Sequence, residues 1–192
     1  MKLSQHIKEN LNLSFPIMIS QLGHITVGVA DSIMIGNISI PQLAAVSLST
    51  SIFGFILLFC IGLSYGITPL IASKKSDKNY ISMTFYNGMY LNMFFTLLLV
   101  VTTIYSKYLL QYLGQDEEVL FHTYRYLDII AISLVPLMLF QTFKQFIEGL
   151  GFTKPAMYIS IFSNVINIIL NAILIFGLFG FPRLEIVGAA YA

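Results

Sequence analysis

Five stretches of this chain are apolar for about 20 residues or more, and a helical run of that length crosses the hydrocarbon of a bilayer. Hydrocarbon offers no partner to a free backbone N–H or C=O, so each run has to close its hydrogen bonds within itself, as a helix does. The spans fall at about residues 13–36, 43–73, 80–105, 123–148 and 155–180, with 186–192 opening a sixth. The fold class is therefore expected to be an all-α integral membrane protein with five full transmembrane helices plus the start of a sixth. Only 10% of residues are charged, where soluble domains average about 25%, and mean hydropathy is +0.81. A net charge of +1 without a basic patch argues against a nucleic-acid partner. The one cysteine, Cys60, has no partner for an internal disulfide. No small-residue cleavage site follows a short apolar core, so the first span is expected to be retained.

Local signals divide the chain further. The second span carries Gly62 and Gly66 in a GxxxG step, which predicts close helix packing. Tyrosines near both ends of the third span suit the headgroup level. Tyr108, Leu109, Tyr112 and Leu113 predict an amphipathic surface turn, and Asp116, Glu117 and Glu118 either a solvated loop or the first turn of the next helix. Pro136 is expected to kink the fourth span, and Lys144 and Glu148 are spaced to pair along it. Pro155 stands where a first-turn proline is tolerated.

Asp31 lies inside the first span. A carboxylate at that depth costs about 2.5 to 3.5 kcal/mol on insertion scales and is a functional candidate by default. Helical steps back from it give Gly28, His24, Gln21 and Ser14 on the same face. This stripe reads either as interhelical glue or as a site for an ion, proton or substrate. The fifth span has a second stripe, Ser160, Asn164, Asn167 and Asn171, which helix packing alone could also explain. If the two helices face one another, Asp31 meets Asn167 and Asn171. Their hard oxygens suit a small cation such as Na+, and a desolvated carboxylate alternatively suits a proton.

Orientation follows from the basic residues, which accumulate on the cytoplasmic side. Lys2, Lys8, Lys74, Lys75, Lys78, Lys144 and Lys154 share one side, and Lys107, Arg125 and Arg183 the other, so the N-terminus is expected on the cytoplasmic side of the cell membrane. Asp31 lies 15 residues beyond Pro16, and Asn167 and Asn171 lie 12 and 16 beyond Pro155. At about 1.5 Å per residue all three fall roughly 18 to 24 Å from their cytoplasmic prolines, in the outer half of the bilayer.

VADSIMIG, LAAVSLS, GLSYGITPLIAS, EGLGFTKPAM and NIILNAILIFGLFGFPRLEIVGAA together resemble, in order and spacing, the first half of the multidrug and toxic compound extrusion family, close to its NorM-like branch. The resemblance implies the N-terminal lobe of a twelve-helix, two-lobe transporter, an antiporter exporting drugs or other amphiphilic organic cations against protons or sodium. The implied partners are such small molecules, the lipid bilayer and the missing C-terminal lobe of the same protein. No cofactor is implied beyond the coupling ion, H+ or Na+. In the family the acid of the first span responds to cations or protons and matches Asp31, and a fifth-helix pair matches Asn167 and Asn171, the second of which is aspartate in some members. The hydroxyl that commonly follows GAAxA lies beyond Ala192. Gln21, His24 and Asn164 are candidate modulators or cavity-lining residues. His24 stands where glutamine is frequent, and because histidine titrates near neutral pH it tilts the expectation toward protons. The loop SKKSDKN also departs from the family pattern.

A lipid-linked oligosaccharide flippase of similar architecture would need several basic residues in its cavity. A structural or receptor-like bundle would leave Asp31 unexplained. An enzyme is not expected, because His6, His24 and His122 are scattered over tail, span and loop. Cysteines introduced as Asp77→Cys and Gln115→Cys should label from opposite sides of the membrane, Asp77→Cys from the cytoplasm. Labelling of both from outside intact cells would show the five-span topology to be wrong.

Overall fold

The computed structural model describes the backbone of residues 3–192 and the side chains of Ile7 and residues 10–192. Lys2 and the side chains of His6 and Lys8, counted above, lie outside the described residues. The order is α1 (Leu3–Gly36), α2 (Ile40–Tyr65), α3 (Ile67–Ser73), α4 (Lys78–Ser106), α5 (Glu117–Gly149), α6 (Thr153–Phe176) and α7 (Ile186–Tyr191), with 3-10 turns at Lys107–Leu113 and Leu178–Gly180. Five spans, Asn10–Gly36, Ile40–Ser73, Lys78–Leu113, Glu117–Gly149 and Thr153–Phe176, are long and apolar enough to cross a membrane.

Caps and prolines account for the boundaries. α2 starts at Ile40 rather than Leu43, because the Ser39 side chain accepts the Gln42 N–H at 3.2 Å and Pro41 is tolerated in the first turn. The second span breaks at Gly66: Pro69 has no N–H to offer the Tyr65 carbonyl four residues back. Asp77 caps α4 by accepting the Tyr80 N–H at 3.0 Å. Glu117 and Glu118 occupy the first turn of α5, where carboxylates oppose the helix dipole. The turn before them buries Leu110 and exposes Tyr108, Leu109, Tyr112 and Leu113. Pro136 does not interrupt α5. α6 stops at Phe176 instead of running to Gly180, because Gly177 adopts φ 71° and Phe179 φ 56°. The returning chain packs Arg183 3.0 Å from where a Cβ on Gly177 would stand.

α5 is the axis of the bundle. Of its most apolar stretch 44% is buried, against 11–22% for the other spans, and it packs on α2, α3, α4 and α7. α1 lies mainly on α6 and touches α2 more lightly. Ile35, Ala45, Val46, Val119, Leu127 and Ile175 belong to a core at the end of the bundle where α1 and α6 finish and α2 and α5 begin. Toward the other end the interior turns polar: Asn92 on α4 donates to Ser64 on α2 at 3.0 Å and to Thr142 on α5 at 2.8 Å. Outward faces carry Phe55, Leu58, Phe94, Ile132 and Phe162, all exposed, as a lipid-facing surface requires.

Two expectations are corrected. Among the described residues the GxxxG step makes no close helix contact: nothing lies within 4 Å of a Cβ built on Gly62, and Gly66 meets only a carbonyl of its own turn. Close approach falls instead at Gly149, where a Cβ would meet Ile71 and the Thr68 carbonyl at 3.0 Å, and at Gly188 against the Leu174 backbone at 2.7 Å. Lys144 and Glu148 do not pair. Among the described residues the ion pairs are Lys107–Asp128 at 2.7 Å and Arg183–Glu185 at 3.3 Å. Asp128, an acid within the fourth span that the sequence reading passed over, is thereby accounted for at the bundle's rim.

Gly149→Ala should therefore lower the thermal stability of the full-length protein in detergent, by the about 1–3 kcal/mol typical of overpacking, while Gly62→Ala should leave it unchanged or slightly raised. Equal melting temperatures for the two variants would show that α3 and α5 do not pack this closely.

Candidate functional site: a membrane-embedded cavity

α1, α2, α5 and α6 enclose a cavity of about 590 Å³. Val27, Phe53, Leu57 and Leu137 make much of its wall apolar, and Gln21, His24, Asp31, Tyr65, Gln141 and Lys144 put polar groups into it. Volumes of roughly 300–1,000 Å³, mostly apolar with a few polar anchors, are typical of small-molecule sites. The α1 stripe faces inward: Gln21, His24, Gly28 and Asp31 all line the cavity. Nothing lies within 4 Å of a Cβ on Gly28, which leaves open space one turn from the carboxylate. Gln21 donates from Nε2 to the Tyr65 hydroxyl at 3.1 Å and ties α1 to α2.

Asp31 meets the α6 asparagines. Asn171, fully buried, donates from Nδ2 to Asp31 Oδ1 and, at 3.1 Å, to Asn167 Oδ1. Both amide hydrogens are thus used, and Asn171 Oδ1 is left buried without a partner. The three side chains form one chain of oxygens and amides, with Asp31 and Asn167 reaching the cavity wall. Asn164 is corrected: it is absent from the cavity lining and instead packs its amide against Gly23 of α1, with Nδ2 buried and unpartnered. Its place fits the packing reading of that stripe. Among the described residues no three His, Cys, Asp or Glu side chains gather as a metal-binding group.

The MatE family model matches residues 16–173. The chain belongs to the MatE family. The probable multidrug resistance protein NorM of Haemophilus ducreyi is 33% identical over 193 residues, covering 100% of this chain and 42% of that protein. The protein of the same description from Oceanobacillus iheyensis is 34% identical, covering 99% and 43%. This MatE chain thus spans about two-fifths of the length of these relatives, matching their N-terminal half. Its fold matches a multidrug resistance MATE family transporter of the MOP superfamily in an outward-facing conformation, with TM-score 0.86 at 22% identity over 96% of this chain and 41% of that one. A MATE crystal structure in the bent conformation gives 0.86 at 24% identity over 96% and 41%.

The MatE cavity includes residues that sequence reasoning missed, chiefly Lys144, Gln141, Tyr65 and Tyr126. The signal was present on α5, where Tyr126, Ile130, Ser133, Leu137, Gln141 and Lys144 recur at steps of four, three, four, four and three, one helical face. The sequence reading placed Lys144 at the end of the fourth span as a partner for Glu148 and a cytoplasmic-side charge, and gave Tyr126 no role. In the full-length protein, Leu137→Cys should react with a water-soluble maleimide, whereas Ile132→Cys, on the exposed apolar face, should react at least about tenfold more slowly because its thiol faces lipid. Equal reactivity would show that this face of α5 does not border a water-filled cavity.

Proposed function

We propose that residues 1–192 form the N-terminal lobe of a cation-coupled antiporter in the cell membrane, with a cytoplasmic N-terminus, which exports drugs or other amphiphilic organic cations together with its C-terminal lobe. The observation that carries the reading is the Asp31–Asn171–Asn167 chain at the wall of a largely apolar cavity. The family and the NorM relatives support efflux, and the side-chain geometry supports a coupling ion at Asp31.

Each residue has a stated part. Asp31 takes up and releases the ion, H+ or Na+. For a proton, the Asn171 amide serves both forms of the acid: its NH2 donates to the carboxylate, and turned over, its carbonyl accepts from the carboxyl O–H. For sodium, the Asp31 carboxylate and the side-chain oxygens of Asn167 and Asn171 are the hard ligands such an ion prefers. The unpartnered Asn171 Oδ1 is the acceptor that either ion would satisfy. Binding moves the lobe between packings only in so far as the ion's affinity differs between them, and the light contact of α1 with α2 makes α1 the helix able to shift. His24, two turns from Asp31 on the same face, modulates the ion's path from the cavity.

In proteoliposomes of the full-length protein, Asp31→Asn should reduce export driven by an imposed pH or sodium gradient at least about tenfold while leaving membrane insertion intact, since Asn matches Asp in shape and costs less to bury. Undiminished gradient-driven export by the correctly inserted variant would remove Asp31 from the coupling mechanism.

A further inference from the structure

We infer that Lys144 is the docking point for a carboxylate on the transported molecule, so that the cavity selects amphiphiles carrying an anionic group at one end. The inference rests on the reading of this cavity as the transport path. Lys144 is 3% exposed, yet it borders the cavity, and among the described residues no carboxylate lies within ion-pair distance of its ammonium. A buried ammonium without a partner is costly, and in a membrane helix such a group marks a substrate path by default. The same chain shows what a structurally paired lysine looks like: Lys107 donates to both oxygens of Asp128 at 2.7 Å.

Neither of the nearest acids comes within ion-pair distance of it. Glu148, one turn further along α5, keeps a carboxylate oxygen buried without a partner and does not line the cavity. Asp31 is held by Asn171. It also sits toward the other end of the cavity, whose α5 wall runs from Tyr126 to Lys144, roughly 27 Å at about 1.5 Å per residue. Gln141, three residues before Lys144 and also buried, adds an amide N–H donor on the same face. Between the two charged ends the wall is apolar, with Phe53, Leu57, Ile130 and Leu137. A molecule that satisfies both ends has an apolar ring system, a carboxylate against Lys144 and Gln141, and a cationic centre toward Asp31.

Rhodamine B and its ethyl ester share one cationic ring system and differ in whether the carboxylate is free. Binding of each to the purified full-length protein by fluorescence anisotropy, with export of each from proteoliposomes, tests the inference. Wild type should bind rhodamine B more tightly than the ester. Lys144→Gln should weaken rhodamine B about tenfold, the scale of one charge-assisted hydrogen bond, and change the ester less than about twofold, whereas Lys144→Arg should retain the preference. Equal effects on both dyes, or none, would show that Lys144 is paired by another part of the longer protein and would overturn the inference while leaving export intact. If Lys144→Gln does not fold, the wild-type pair decides, and an ester bound as tightly as the acid overturns it. A wild type that exports neither dye overturns the transport reading and this inference together.

Discussion

The hydrocarbon of the membrane supplies no hydrogen-bond partner, and the rest of this structure follows from that constraint. Backbone groups close on themselves along five long helices. Side chains that cannot do so turn inward and find one another: Asn171 with Asp31 and Asn167, Asn92 with Ser64 and Thr142, Gln21 with Tyr65, Lys107 with Asp128. Many hydroxyls instead fold back on the carbonyl four residues before, as Ser20 does on Pro16 and Thr96 on Asn92. These bonds let polar residues sit in an apolar helix without a distant partner.

The interior divides into two regimes because the helices do not all pack equally. α5 presses against α2, α3 and α4, using a glycine where a side chain would collide, while α1 and α6 stand together as a second body touching the first more lightly. The gap between the two bodies is the cavity. Asn92, within the tight body, spends both amide hydrogens on its neighbours, whereas Lys144, Gln141 and His24, which face the gap, keep hydrogen-bonding capacity to spare. Spare capacity beside a water-sized space is what a transient ligand or ion requires.

Much of the fold was legible in the chain because its causes are local. Long apolar runs, Ser39 and Asp77 as caps, Pro41 and Pro155 in first turns and Glu117 and Glu118 at a helix start each act within a few residues of themselves. The Asp31 partners were legible for a different reason: two helices of the same direction, each dated from a proline at the same end of the bundle, place residues of similar offset at similar depth. Face assignments between non-neighbouring helices were not legible. Gly62 and Gly66 have a spacing that permits close packing, but spacing does not say whether a helix is opposite, and among the described residues none comes close. Asn164 and Asn167 share one stripe, yet one meets Gly23 and the other the cavity, because a stripe of four residues is wider than the seam it faces.

By itself the sequence determined the number of membrane spans, their apolar outer faces and the existence of an inward acid, since insertion into hydrocarbon penalises every alternative residue by residue. Tertiary structure alone decided which polar groups are consumed by the protein and which remain open. Lys144 and Glu148 show the difference: one turn apart on α5, they have the spacing of an ion pair, but packing buries a Glu148 carboxylate oxygen off the cavity and sets Lys144 in the cavity wall. The rotation of a helix about its axis is set by all the neighbours it packs against at once, and a single chain read in order does not contain that sum.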